Sequence, residues 1–311
     1  MKQIGIIFHP HIHPDEQAEA EQFLKPLVVR PGTANRPPIC SFEGAPMQHP
    51  DTGGFFDVTP VWEKLKSGEW ALNGFKVMAS PSQYLMGHDL LPLNDMHTAR
   101  RLAFLMLLEM WDQHCKGNPF INHFSEYKAT VTTATAAFYA VFPSAEAAKN
   151  AVQRGAAKLL SQYEENHDGP QVSEELGGCV IEFEGEMIVT LALAKSERTL
   201  PKWLKLSTSL TAETDKSLSR FADRVVMCEL QFTSQWFADG MLANPLTWDF
   251  PEANAYDYFF AEFQEILGDD FFIKFEPAPR FPKSIMAKTF NRDTAIAYLE
   301  KVWVACYGWE R

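Results

Sequence analysis

Three histidines alternate in the N-terminal segment, as His9, His11 and His13, and an acid follows at Asp15. Alternate residues of an extended chain point to the same side, so an extended backbone here would direct all three imidazoles one way. Some metal-dependent hydrolases use a His-x-His pair after a first strand to place two imidazoles on one ion. The pattern therefore predicts, as one of two competing functions, a hydrolase that holds Zn or Mn at these four residues.

A metal-dependent hydrolase would also need ligands from later in the chain. The candidates form no second recognisable motif; they are His49 with Asp51, His88 with Asp89, Asp95 with His97, and His123. In addition, Pro10 and Pro14 disturb a regular strand. The simpler interpretation of the three histidines is a surface loop whose imidazoles titrate near about pH 6.5.

Other catalytic signatures are missing from the sequence. No G-x-S-x-G, Walker A, G-x-G-x-x-G or H-E-x-x-H pattern occurs. Cys115 follows His114, but neighbouring residues of a helix point about 100° apart, so we expect Cys115 to be packed rather than nucleophilic. The sequence names no catalytic residue, and it favours a protein that is not an enzyme and has no cofactor.

A second feature is an acidic-aromatic block at Val225–Ile273. The block contains no Lys, Arg or His, yet it carries nine Asp and Glu residues and many large rings. Within it, large apolar residues recur at helical spacing over Glu252–Leu267; they are Tyr256, Phe259, Phe260, Phe263, Ile266 and Leu267. We expect these side chains to form the buried face of a helix. The outer face then carries Tyr258, Ala261, Glu262 and Glu265, with Asp257 at its margin.

Two interpretations of this helix compete. In the first, it is an ordinary amphipathic helix with an aromatic buried face and a solvated acidic face. In the second, the acidic face binds a basic partner. A merely solvated helix usually alternates acids with Lys, which gains about 0.2–0.5 kcal/mol per pair four residues apart, and the block has no such pair. Tyr is also enriched at binding hot spots.

We therefore expect an acidic interaction protein that binds and neutralises a basic protein, as an inhibitor or a toxin-immunity protein does. The expected contact residues are Asp257, Tyr258, Glu262, Glu265, Trp236 and Trp248. The formal net charge of −12 agrees with this role, because clustered acids attract cationic partners. A third hypothesis, an acidic mimic of nucleic acid, would need regularly spaced carboxylates over a surface.

The same charge disfavours binding to nucleic acid or to anionic membranes, since both require clustered Lys and Arg. The most basic stretch, Lys195–Lys205, carries four cations and one Trp, which is more typical of a solvated loop. No window approaches the roughly 20 apolar residues of a membrane span. Five scattered cysteines without a C-x-x-C pair favour a reducing compartment, so we expect a cytoplasmic protein.

Helix and strand signals are mixed along the chain. The predicted strands are Ile4–Phe8, Phe75–Ala79, Thr130–Phe142, a hairpin of Cys179–Glu184 with Met187–Ala194, Arg224–Thr233 and Asp270–Glu276. The predicted helices run from Asp15 to Leu24, over Asp95–Lys116, from Ser144 onward, and over Asp215–Asp223, Glu252–Leu267 and Asp293–Cys306, with one helical turn at Val61–Leu65. The segment Pro31–Pro60 is turn-rich and long for a loop.

This order of elements predicts an α+β fold rather than a doubly wound parallel sheet. We expect a mixed or antiparallel sheet, or sheets, with helices packed on one face. We expect either two subdomains or one large domain, since 311 residues suit both. In the first case, residues 1–118 form a subdomain of α/β type with the long turn-rich loop, and residues 119–311 form one of α+β type. The oligomeric state is not predicted.

Overall fold

The computed structural model describes residues 3–44, 47–48, 54–86, 96–164, 170–175, 178–194, 220–238, 255–268 and 270–277. Within these ranges, the strands are β1 (Gln3–Pro10), β2 (Val28–Arg30), β3 (Ile39–Cys40), β4 (Met47–Gln48), β5 (Phe55–Lys64), β6 (Trp70–Ala79), β7 (Phe124–Val141), β8 (Gln171–Glu175), β9 (Gly178–Phe183), β10 (Met187–Leu193), β11 (Val225–Thr233) and β12 (Glu276–Pro277).

The α-helices in the same ranges are α1 (Gln17–Leu24), α2 (Pro81–Met86), α3 (Met96–His114), α4 (Ala145–Glu164), α5 (Ser234–Ala238) and α6 (Ala255–Leu267). Three short 3-10 helices, Pro14–Glu16, Lys25–Leu27 and Pro119–His123, join them to the strands. No helix in the described ranges is long and apolar enough to cross a membrane.

Ten of these strands form one antiparallel sheet in the order β4-β5-β6-β1-β7-β11-β10-β9-β8, and β12 pairs with β7. The strand β7 lies at the centre of this sheet. It is 18 residues long, and its first part pairs with β1 while its last part pairs with β11. The two-residue strand β12 pairs with Phe138 and Tyr139 of β7. These two residues follow Thr135, the last residue of β7 that pairs with β1.

The helices pack on one face of the sheet. Ile4, Ala134 and Phe232 are neighbours across β1, β7 and β11, so their side chains share a face. On that face, Phe8 of β1 contacts Phe104 of α3 at 5.2 Å between ring centroids, and Phe232 stacks on Phe259 of α6 at 4.5 Å. The helix α4 contacts β8 to β11.

The α+β prediction is therefore confirmed, with an antiparallel sheet and helices on one face. The sheet continues across the expected boundary at 118/119, because β7 joins strands from both sides. The division into two subdomains stays a prediction.

Two local predictions are wrong. The segment Val61–Leu65 is not a helical turn, since Val61 to Lys64 belong to β5. A shift of register between Val61 and Trp62 interrupts the pairing there, which hides the strand's alternation. The segment Asp270–Glu276 is mostly irregular, and only Glu276 belongs to a strand. The predicted helix Asp293–Cys306 and most of Asp215–Asp223 lie outside the described residues.

Candidate interaction surface

The candidate surface is built on α6, whose position follows from its aromatic face. Phe259 and Phe263 are almost fully buried, as their helical spacing predicts. Phe263 stacks on Phe138 of β7 at 4.4 Å between ring centroids. The helix ends at Gly268, which adopts a φ of 75° that favours glycine. The N–H of Gly268 donates to the carbonyl of Gln264 at 2.9 Å.

A second helix fixes the C-terminal end of α6. The hydroxyl of Tyr163, on α4, donates to the carbonyl of Ile266 at 2.9 Å. Burial, followed by the charge of Glu265, raises the pKa of that hydroxyl, so it stays protonated and able to donate. Ring packing and the hydrogen bond from Tyr163 thus hold α6 against the sheet and α4. They also fix the direction in which the outer face of α6 points.

The outer face of α6 presents Tyr258, Glu262 and Glu265, which follow one another at helical spacing. The Tyr258 side chain is 43% exposed, and Glu265 is exposed as well. Glu262 is half-buried. Burial raises its pKa, and the charges of Glu265 and of Glu186, which precedes β10, raise it further. We call the surface formed by Tyr258, Glu262 and Glu265 the α6 acidic face, and the carboxylate of Glu186, in the β9–β10 turn, adds its charge to it.

Cations reach the block from α4, not from within it. Lys158 forms an ion pair with Asp270 at 2.7 Å, and its hydrogen bond and charge lower the pKa of that carboxyl. The ammonium of Lys158 also lies 5.7 Å from the Phe271 ring centroid, and the guanidinium of Arg154 lies 4.9 Å from that of Phe272. These contacts fasten the segment after α6 to α4. Sequence reasoning missed them because Lys158 and Asp270 are far apart in the chain.

Of the two tryptophans of the predicted surface, Trp236 and Trp248, the structure describes Trp236 only. Trp236, on α5, is half-buried, and its ring packs on Phe232 at 4.3 Å and on Phe259 at 5.6 Å. Its ring therefore packs against the core. Trp248 and the side chain of Asp257 lie outside what the structure describes, so their assignment to the surface stays a prediction.

The histidines of the N-terminal segment do not continue one strand. β1 ends at Pro10, and only His9 belongs to it. The Nδ1 of His9 lies 2.8 Å from the carbonyl oxygen of Asn73, and its Nε2 lies 2.9 Å from the hydroxyl of Thr130. Because a carbonyl oxygen only accepts, Nδ1 carries a proton, and in the neutral imidazole Nε2 accepts from Thr130. A metal ion at His9 would have to displace the Thr130 hydroxyl.

The other expected ligands lie at the surface, and two of them contact each other. His13 Nδ1 lies 3.3 Å from an Asp15 carboxylate oxygen at the surface. His11 is exposed, and its backbone N–H donates to the carbonyl of His123 at 2.6 Å. The His123 imidazole is 3.8 Å from the Glu16 carboxylate. Among the residues that the structure describes, no group of three His, Cys, Asp or Glu side chains is arranged to hold a metal ion.

The cysteines within the described ranges are buried free thiols: Cys40, Cys115, Cys179 and Cys228. Burial raises the pKa of Cys115 to about 11 and, with help from Glu43, that of Cys40 to about 12. At neutral pH these sulfurs are thiols, which are poor nucleophiles. Cys115 is a packed residue, as expected from its place at the end of α3.

Comparison with family models, with curated proteins and with solved structures finds no match to this chain. Of the residues expected on the interaction surface, Tyr258, Glu262 and Glu265 lie together on the α6 acidic face. It can attract and bind positive charge, with an exposed ring beside the carboxylates.

Proposed function

We propose that this chain is an interaction protein that binds a basic protein partner through the α6 acidic face. The observation that carries the proposal is that Glu262 and Glu265 share one helix face with the exposed ring of Tyr258, while the charge of Glu186 also acts on Glu262. Burial and two neighbouring carboxylates raise the pKa of Glu262, so its negative charge is maintained at a cost in free energy. A Lys or Arg side chain from a partner would remove part of that cost.

Tyr258 supplies the second element of the proposed contact. It lies one helical turn before Glu262 and is 43% exposed, so its ring is available for a partner while its backbone is held by the buried neighbour Phe259. A Tyr ring covers a large area with few rotatable bonds, which makes it a common hot spot. The carboxylates would direct the approach of the partner, and Tyr258 would slow its release.

Neutralisation of the partner follows from the same chemistry. Basic surfaces of proteins commonly serve to bind nucleic acid or other polyanions. A rigid acidic face that covers such a surface would block it, as an inhibitor or an immunity protein does. The rigidity comes from the stacked rings beneath α6 and from the bond of Tyr163 to Ile266.

The double charge reversal Glu262→Lys with Glu265→Lys tests this proposal. Proteins retained by the immobilised wild-type chain would be identified, and association with a purified retained protein would be measured at several salt concentrations. We expect the reversal to slow association at low salt by about tenfold or more, and to weaken its dependence on salt.

The matched control reverses two exposed acids of another helix, Glu19→Lys with Glu21→Lys on α1. It changes the formal charge of the molecule by the same amount but leaves the α6 acidic face intact. We expect this control to associate nearly as fast as the wild type. Equal slowing by both double variants would mean that only net charge matters, and unchanged binding by the α6 variant would exclude the proposed surface.

A further inference from the structure

We draw no further inference here: the strongest candidate, the open surface recess of about 440 Å³ between the 31–38 loop and the turn of the β5–β6 hairpin, has the Trp70 indole N–H and the Lys64 ammonium already donating to the carbonyls of Thr33 and Ala34, and nothing in the described part of the molecule shows what would fill it.

Discussion

At the scale of single residues, the carboxyl of Glu262 shows how the α6 acidic face affects the stability of the fold. Burial, then Glu265 and Glu186, raise its pKa in the folded chain. A carboxyl whose pKa is higher in the folded than in the unfolded state takes up a proton on folding. Stability contributed by that carboxyl therefore falls as pH rises through the interval between the two pKa values. At neutral pH, the ionised Glu262 carboxylate therefore contributes less to stability than its protonated form does.

The substitution Glu262→Gln should accordingly stabilise the protein at neutral pH. We expect a gain in the free energy of unfolding of less than about 1 kcal/mol, because the site is partly solvated. The gain should disappear at pH values below about 4.3, where the carboxyl is protonated in both states. Denaturant unfolding at both pH values measures it, and Glu63→Gln on the exposed end of β5 is the control. A loss of stability at neutral pH would contradict this account.

His9 allows a second test at this scale, of the metal-hydrolase hypothesis. Both imidazole nitrogens of His9 are hydrogen-bonded, Nε2 to the Thr130 hydroxyl and Nδ1 to the Asn73 carbonyl. We therefore expect the untagged protein to contain no stoichiometric transition metal. We also expect its melting temperature not to rise with Zn²⁺ or Mn²⁺. Elemental analysis and thermal melts measure both. One bound metal ion per chain, lost on substitution of His11 and His13 by Ala, would instead support the hydrolase.

At the scale of elements, α6 is a helix with two separate tasks. Its inner rings stack on β7 and β11, so they determine stability. Its outer side chains include the exposed Tyr258 and Glu265, which can be substituted without removing a buried ring. Of the neighbouring residues Tyr258 and Phe259, the first is exposed and the second is fully buried, which makes the separation testable by two adjacent substitutions.

We expect Phe259→Ala to destabilise the fold by about 3–5 kcal/mol, because it removes a fully buried ring and leaves a cavity. Tyr258→Ala should change the free energy of unfolding by less than about 1 kcal/mol. In binding, by contrast, Tyr258→Ala should weaken affinity for a basic partner by tenfold or more, a typical hot-spot effect. Denaturant unfolding and binding titrations measure the pair. If Tyr258→Ala unfolds the protein, this ring is part of the core and not of a contact surface.

At the scale of the whole molecule, local patterns could be predicted and distant pairings could not. The α6 helix follows from a spacing visible within 13 residues. The hairpin of β9 and β10 follows from Gly185, whose φ of 74° its turn requires. The partners of His9, by contrast, are 64 and 121 residues away, and those of Asp270 come from α4. No periodicity reveals such contacts, so the helix and the shared face of Tyr258, Glu262 and Glu265 could be predicted, but Glu186 and the contacts that hold the helix could not.

The largest feature that could not be predicted from the sequence is that one sheet runs through both parts of the chain. One strand, β7, pairs with β1 from the first part of the chain and with β11 from the second part. Ala134 has Ile4 on one side and Phe232 on the other, and all three are buried. Two parts that share a buried central strand cannot lose it independently, so they should unfold together.

We expect a single cooperative unfolding transition that includes both hairpins, β5–β6 and β9–β10. Hydrogen exchange measured against denaturant should show that the two hairpins lose protection at the same denaturant concentration. Ala134→Pro, which disrupts β7 where both neighbours meet, should lower protection of both hairpins by about 3 kcal/mol or more. Ala145→Pro, at the exposed first position of α4 where proline is tolerated, is the matched control and should spare both. If β9–β10 kept its protection while β5–β6 lost it, the chain would consist of two independent subdomains divided near residue 118.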